Sequence, residues 1–294
     1  MEIQKTDAVH MLDFSLLGEE AKKSFYPTPD TLAEEMVRTV LENLPKDKRF
    51  SDDYTILEPS AGNGMLIRMI GKLFKDYVYG LDHIEDALTG KKYAPPRRPN
   101  VDYIEIDKNL RAVIKDAFSE DRKYELSEKR DAHRGRWDRE LQQEIYKEGH
   151  KEKYDFYSAE YNIINNLGDV HCVGDDFMEF QTFKKYDLII MNPPFAIGAE
   201  HLLKAINMQK RMGGSIVCLL NAETLRNPYT LARKELVREL RALNADIKYL
   251  KDAFISAERS TEVEIALIYI DIDKPAKYSY IFEDLQKAKE ETLK

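Results

Sequence analysis

The sequence is poor in cysteine and lacks any long hydrophobic run. Its 294 residues include two cysteines, Cys172 and Cys218, and both lie in apolar, strand-like runs. We therefore expect two small buried side chains in a reducing compartment, which excludes a disulfide framework and a cysteine-based zinc site. No apolar run reaches the roughly 18 residues of a membrane span, and "MEIQKTDAVHMLDF" has no basic region followed by an apolar one. These absences predict a cytoplasmic protein without a membrane-spanning segment.

The charge of the sequence is high in amount and acidic in balance. Charged residues make up 33% of the chain, and the formal net charge is −8. This balance argues against a protein that coats nucleic acid with its whole surface. A local basic groove is still compatible with it, because a binding face depends on how charge is distributed. A hydrophobic content of 43% over 294 residues is enough for one sizeable core with room for an insertion.

Apolar runs typical of buried strands alternate with amphipathic helices along most of the chain. The helical pattern is clear in "PDTLAEEMVRTVLENL", and the strand-like runs are "YTILEP", "VDYIEI", "VHCVGDDF", "YDLIIMNPPF", "GGSIVCLLN" and "VEIALIYIDI". Such alternation predicts an α/β fold with a mostly parallel sheet covered by helices on both faces. We divide the chain into an N-terminal extension (1–24), an α/β domain (25–275) with a charged helical insertion (111–165), and a charged tail (276–294).

Two strand ends carry residues typical of a ligand site, since ligands of such sheets bind at the carboxyl ends of the strands. In "LEPSAGNG", Glu58 ends a strand, and Gly62 and Gly64 allow a tight turn and close approach of the backbone to a ligand. In "VDYIEID", Glu105 ends another strand, where a carboxylate can accept both hydroxyls of a ribose. Ordinary turns and strand ends fit these patterns too, and Asp82 in "YGLDHIED" is an alternative ribose acid. We prefer Glu105 because a clear helical pattern follows it.

A third strand end, in "VGDDF", offers an acid followed by an aromatic ring. Asp176 is suited to accept a hydrogen bond from an adenine amine, and Phe177 is suited to lie against the ring. An acid directly after a strand is equally typical of a helix N-cap. Both interpretations of this pair therefore stay open.

The segment "NPPF" at the end of "YDLIIMNPPF" carries the strongest functional signal. Prolines are poor continuations of a strand because they lack the backbone donor and fix φ, so Pro193 and Pro194 lock the chain directly after Asn192. The Asn192 side-chain carbonyl and the Pro193 main-chain carbonyl can together accept both hydrogens of a planar amine. Those bonds strengthen as positive charge develops on the nitrogen, so they favour a transition state over the ground state. Phe195 can stack on a flat substrate, which is worth roughly 1–3 kcal/mol for a nucleobase.

These motifs, in this order, resemble those of the class I S-adenosylmethionine-dependent methyltransferases, and within them the amino methyltransferases that act on N6 of adenine in DNA. The resemblance covers residues 25–110 and 166–272. It implies a Rossmann-like class I methyltransferase fold, S-adenosylmethionine as cofactor and no metal. The implied cofactor-binding residues are Tyr26, Thr28 (near the methionine carboxylate), Glu58, Ala61, Gly62, Gly64, Glu105, Asp176 and Phe177. The implied catalytic residues are Asn192, Pro193, Pro194 and Phe195, and Phe195 and, by a looser match, Phe254 would contact the target base.

The resemblance leaves the substrate and its recognition open. Relatives of this fold act on adenine in RNA or on a protein glutamine amide, and a non-catalytic DNA-binding subunit is a further alternative. The intact Asn192 motif argues against a non-catalytic subunit, and Phe195 in place of tyrosine favours a nucleobase. The tail 276–294 is too short for the separate target-recognition domain that DNA adenine methyltransferases usually carry. Sequence readout would then be minimal, be carried by the insertion, or come from a partner, either a specificity subunit or a second copy of the chain. The expected setting is a bacterial or phage-infected cell, for example in restriction–modification.

Overall fold

The computed structural model describes residues 27–43, 54–74, 98–251 and 264–273. In chain order its strands are β1 (Thr55–Glu58), β2 (Asn100–Ile104), β3 (Arg136–Asp138), β4 (Gln143–Ile145), β5 (Val170–Gly174), β6 (Leu188–Met191), β7 (Gly214–Asn221), β8 (Asp246–Leu250) and β9 (Ile265–Ile272). Its helices are α1 (Asp30–Asn43), α2 (65–74), α3 (Lys108–Ala117), α4 (Glu120–Ala132), α5 (His150–Asn165), α6 (Gly198–Met212), α7 (Glu223–Arg226) and α8 (Leu231–Ala242). Within these ranges no helix has the length and apolar character needed to cross a membrane.

A seven-stranded sheet forms the centre of the described chain, in the order β5-β2-β1-β6-β7-β9-β8. The first five strands in this order pair in parallel, whereas β9 runs antiparallel to both β7 and β8. The chain builds one half of the sheet outward from β1 and then returns to place β6 on the other side of β1. The strand order therefore reverses between β1 and β6, and such a switch point opens a crevice at the carboxyl ends of the strands.

Helices cover both faces of the sheet, as the alternating pattern predicted. Ile56 and Ile190 face the layer that contains α1 and α2, while Leu57 and Ile189 face the layer that contains α6 and α8. Successive side chains of a strand point to opposite faces, so a strand between two helical layers has to be apolar at every position. All four residues of β6 are buried accordingly. The prediction of a mostly parallel sheet covered on both faces is confirmed.

The edge strands differ from the central ones, and one prediction was wrong there. At one edge of the described sheet β5 pairs with β2 alone, and its residues are exposed or half-buried. Cys172 in β5 is consequently exposed rather than buried, whereas Cys218 in the central strand β7 is fully buried as predicted. The other edge strand, β8, has the sequence "DIKYL" and was not recognised. An edge strand needs less apolar surface, so hydrophobic patterning identifies it poorly.

The charged stretch 111–165 contributes side chains to the core of the described chain. The second half of α3 falls within it, and Ile114 of that helix belongs to the main core. Helices α4 and α5 pack on each other around Leu126, Tyr157 and Ile164. A helix can pack by one narrow apolar stripe while the rest of its surface stays charged, so this charged stretch also contributes packed side chains.

Helix α5 is anchored to α2 by a close backbone approach and a buried ion pair. A Cβ added at Gly71 would stand 2.2 Å from the Ile163 carbonyl oxygen, so only glycine allows the two helices to come this close. Three residues earlier, both terminal nitrogens of Arg68 donate to the two carboxylate oxygens of Glu160, each at 2.6 Å. The side chains are 12% and 5% exposed, so this bidentate geometry has to offset the desolvation of both charges.

We expect Glu160→Gln to lower the free energy of unfolding by about 3 kcal/mol, because Arg68 would keep a buried charge without its counter-charge. Urea denaturation of the variant and the wild type measures the difference. Glu152→Gln, at an exposed position of the same helix, is the matched control and should change stability by less than about 0.5 kcal/mol. The double variant Arg68→Met/Glu160→Leu should recover most of the loss. A Glu160→Gln protein as stable as the wild type would contradict the anchoring role.

Candidate active site

A cleft opens at the carboxyl edge of the sheet, at the switch point between β1 and β6. Its walls are the turn after β1, the end of β2, the turn after β5, the segment after β6 and the residues that precede α1. Most of the predicted site residues line it, namely Thr28, Ala61, Gly62, Glu105, Asp176, Phe177, Asn192, Pro193, Pro194 and Phe195. Glu58 and Gly64 do not line the cleft. The positions that fall outside the described residues are Tyr26, Phe254 and the alternative acid Asp82.

The Glu105 carboxylate joins the turn after β1 to the end of β2. Its Oε2 accepts the Gly62 N–H at 2.7 Å, and its Oε1 accepts the Asp107 N–H at 2.9 Å. Gly62 has a φ of +56°, a left-handed conformation that glycine adopts without strain, so the turn can present its N–H to the acid. Burial raises the pKa of Glu105, and the two N–H groups only partly oppose this effect. The two hydrogen bonds fix the Glu105 carboxylate in place on the cleft wall.

Glu58 and Gly64 support the same turn from behind. The Glu58 side chain is fully buried, and its Oε1 accepts the Ser60 N–H at 3.3 Å. Its other oxygen, Oε2, has no hydrogen-bond partner among the described residues, and burial raises the pKa of this carboxyl well above its usual range. A Cβ at Gly64, where φ is +80°, would stand 3.2 Å from the Phe118 ring. The missing side chain thus lets the turn pack against the end of α3, and neither residue faces the cleft directly.

Asp176 lines the cleft, and a turn rather than a helix follows it. Its Oδ1 accepts the Met178 N–H at 2.7 Å, so the acid closes that turn instead of capping a helix. Phe177 is almost fully buried, and its ring lies 5.5 Å from the His201 ring and 5.1 Å from Lys204 Nζ. Phe177 is thus a core side chain at the base of the cleft wall rather than a freely exposed platform.

His201 is a cleft residue that sequence analysis did not identify. It lies in the first turn of α6, is nearly buried, and has Nδ1 at 3.1 Å from the Ile197 carbonyl oxygen. A carbonyl oxygen only accepts, so Nδ1 carries the proton of this bond. Burial lowers the pKa of His201, which favours the neutral ring and leaves Nε2 as an acceptor. A single histidine on the buried side of a helix gives no signal in the sequence that separates a cleft residue from a core residue.

Asn192 is held by the part of the chain that precedes α1. Its Nδ2 donates to Thr28 Oγ1 at 3.0 Å, and both side chains line the cleft. Pro193 is buried and Pro194 is exposed, so the rigid pair crosses from the sheet to the surface. Phe195 is half-buried and packs against the main core. An amide, a restricted main-chain carbonyl and an aromatic ring therefore lie together beside the turn that holds Glu105.

The mouth of the cleft is apolar. Ile106, Met178 and Ile197 line it and are strongly exposed, Ile106 to 73%. Apolar side chains at the rim of a concave site favour a ligand with a flat or apolar part, since burying them removes that surface from water. Within the described ranges, no cluster of three or more histidine, cysteine or acidic side chains is arranged to hold a metal ion.

No protein-family model and no curated protein matches the chain, whereas solved structures do. A dimethyladenosine transferase from Plasmodium falciparum is 9% identical with a TM-score of 0.43, over 85% of this chain and 64% of that one. The methyltransferase subunit of a type I restriction–modification system from Streptococcus thermophilus is 11% identical with a TM-score of 0.47, over 85% and 45% of the two chains. An rRNA methyltransferase from Streptomyces viridochromogenes is 12% identical with a TM-score of 0.45, over 91% and 93%. This chain thus spans less than two thirds of the first two proteins.

The fold is the Rossmann-like fold of class I methyltransferases. It follows from five parallel strands with a switch point between β1 and β6, an antiparallel β9, and helices on both faces. The fold class predicted from the sequence is confirmed.

The raised pKa of Glu105 predicts a specific dependence of stability on pH. Between the pKa of an ordinary glutamate, about 4.3, and the raised pKa in the fold, the folded state binds more protons than the unfolded state. This group therefore lowers the free energy of unfolding as the pH rises through that window. In Glu105→Gln, stability should fall less, or rise more, across the window than in the wild type, as measured by urea denaturation at a series of pH values. Glu179→Gln, at an exposed position after β5, should keep the wild-type slope; an unchanged slope in Glu105→Gln would contradict the prediction.

Proposed function

We propose that this chain is an enzyme that transfers a methyl group from S-adenosylmethionine to the exocyclic N6 amine of adenine in DNA. One observation carries the proposal. The segment from Asn192 to Phe195 and the glycine turn with Glu105 line the same cleft, on the two sides of the β1/β6 switch point. A methyl donor at the turn and an amine at Asn192 would therefore meet in one cavity, and this proximity is what group transfer requires.

The part of the cleft around β2 has the chemistry that S-adenosylmethionine needs. Glu105 directly follows β2, and a carboxylate at this place accepts ribose hydroxyls in folds of this class. Ile106, Leu110 and Met178 add apolar surface for a flat adenine ring, and Asp176 adds an acceptor for its amine. Glu105, Asp107, Asp175 and Asp176 line this part of the cleft beside the apolar side chains. Carboxylates favour a ligand that carries positive charge. The cofactor supplies its methyl group from a positively charged sulfur.

The part of the cleft around β6 has the chemistry that a target amine needs. We assign the Asn192 Oδ1 and the Pro193 carbonyl oxygen to the two hydrogens of this amine. As the nitrogen would bond to the methyl carbon, the bond from that carbon to the cofactor sulfur would break, which leaves a neutral thioether and moves the positive charge to the nitrogen. The two acceptors would stabilise this charge until a proton leaves to water. A paired adenine has to leave the base stack to reach the cleft, at a cost of a few kcal/mol. Stacking on Phe195, the half-buried last residue of the motif, offsets part of that cost.

Transfer of labelled methyl groups by the purified chain tests the proposal, with DNA, RNA and protein extract as acceptors. DNA from a methylation-free host that expresses the wild type should contain N6-methyladenine. Asn192→Ala should lower kcat by about 10²- to 10³-fold, because it removes one acceptor that acts on the transition state. Cofactor affinity, measured by calorimetry, should stay within about twofold.

Asn43→Ala is the matched control, since this amide lies at the exposed end of α1 and donates to the Thr39 carbonyl oxygen. It should leave both transfer and cofactor binding unchanged. Parallel loss of cofactor binding and transfer in Asn192→Ala would show that this residue is assigned to the wrong side of the cleft. Transfer to RNA or to protein, with none to DNA, would replace the proposed substrate.

The hairpin of β3 and β4 has the features of a nucleic-acid contact surface. Trp137 is 59% exposed there, and the nearby Arg134, Arg136 and Arg139 are exposed as well. Arginines neutralise phosphates, and an exposed ring can stack on a base. Arg130 is close to these arginines in the sequence, but its guanidinium carbon lies 4.6 Å from the centre of the Tyr161 ring of α5. We infer that this hairpin contacts DNA, while the helices α4 and α5 that it joins are structural.

Replacing residues 136–145 with a short Gly/Ser turn should weaken DNA binding and methylation while melting temperature and cofactor affinity hold. The residues removed are exposed or half-buried, whereas the packed residues of α4 and α5 remain. DNA affinity measured over a series of salt concentrations should also show a smaller salt slope, because fewer phosphates are neutralised. The double variant Arg136→Gln/Arg139→Gln, which removes the arginines of the replaced segment and keeps Trp137, should reproduce the smaller salt slope. Unchanged methylation in the hairpin replacement would transfer recognition to the rim of the sheet or to a partner.

A further inference from the structure

Thr28 and Asn192 are 164 residues apart in the chain and are joined by one hydrogen bond at the cleft. Asn192 Nδ2 donates to Thr28 Oγ1 at 3.0 Å, and Thr28 is 8% exposed. The next residue, Pro29, accepts the N–H groups of Leu32 and Ala33 at 3.0 and 2.9 Å, so it starts α1. The buried face of α1 belongs to the main core. Thr28 is therefore a fixed point that does not depend on the loop after β6.

This hydrogen bond holds the plane of the Asn192 amide, and in the orientation that the structure shows Nδ2 faces Thr28. The terminal torsion of asparagine is broad and roughly two-fold, so rotation by half a turn exchanges its oxygen and its nitrogen. With Nδ2 held by Thr28, Oδ1 points away from Thr28 as an acceptor. With the amide reversed, Nδ2 would face the amine, and two donors would oppose each other. A productive Asn192 therefore has to be held in the observed orientation, and the contact with Thr28 restricts the rotation of its amide in that orientation.

We propose that Thr28 is a positioning residue for methyl transfer, whose hydroxyl oxygen holds Asn192 with Oδ1 turned toward the target amine. The inference rests on the proposed function and deepens it. Resemblance to the family implies a different role for Thr28, contact with the methionine carboxylate of the cofactor. The two roles predict that loss of the Thr28 hydroxyl changes different measured quantities. A cofactor contact shows in cofactor affinity, whereas a positioning contact shows in kcat with cofactor affinity preserved.

Thr28→Val and Thr28→Ser provide the test, because valine keeps the shape of threonine without the hydroxyl and serine keeps the hydroxyl. Thr28→Val should lower kcat for methyl transfer at least about tenfold, the effect of losing one oriented hydrogen bond of about 1.4 kcal/mol. Its dissociation constant for S-adenosylmethionine, measured by calorimetry, should stay within about twofold. Thr28→Ser should recover most of kcat. In an Asn192→Ala background, Thr28→Val should have no further effect, because the two residues act as one unit.

Thr39→Val is the matched control, since it removes a hydroxyl that donates to the Glu35 carbonyl oxygen on α1, away from the cleft. Melting temperatures of all variants separate a folding defect from a positioning defect, and Thr28→Ala, which also lacks the hydroxyl, takes the place of Thr28→Val if that variant does not fold. A wild-type chain that transfers methyl groups while Thr28→Val matches it in kcat would overturn the positioning role alone. Weaker cofactor binding with unchanged kcat would assign Thr28 to the cofactor. A wild-type chain that methylates no acceptor would overturn the proposed function together with this inference.

Discussion

The buried carboxylate of Glu105 fixes two parts of the chain at once, and the candidate site depends on that. It accepts one N–H from the turn after β1 and one from the start of the loop after β2. Displacing either segment would leave a buried acceptor unpaired, at a cost of about 1–3 kcal/mol or more for a charged group. The turn with left-handed Gly62 is thereby held against the end of β2. The crevice at the switch point consequently has one wall with a backbone that is already in place for a ligand.

The parts of the fold that could be predicted from sequence are those that burial determines. The central strand β6 is apolar at every position because helical layers cover both of its faces, and the motif that follows it is recognisable by composition. Edge strands lack this constraint, which is why Cys172 was assigned wrongly and β8 was missed. Hydrophobic periodicity reports how much surface an element buries and says little about where an edge lies.

The residues of the candidate site also differ in whether local sequence pattern can identify them. Glu105 and Asn192 stand at strand ends, and strand ends can be located from local pattern. His201 lies on the buried side of a helix, and its place at the cleft depends on how α6 packs rather than on its neighbours in sequence. The contact of Asn192 with Thr28 joins residues 164 positions apart, so local pattern carries no trace of it. Such contacts follow from topology and become visible only once the sheet order is known.

The switch-point topology also has a consequence for how the protein reaches its folded state. The cleft walls come from the segment before α1, from β1 and β2, and from the turn and segment that follow β5 and β6. Parallel pairing between strands distant in sequence has to form before these walls meet, and the entropy of closing long loops opposes each such step. A chain with β1 and β2 paired but β6 still undocked would already contain the turn and Glu105, yet would lack the side of the cleft that carries Asn192. The pairing of β6 with β1 is therefore the contact that unites the two halves of the proposed chemistry, and the cleft is complete only when β1, β2 and β6 are all in place.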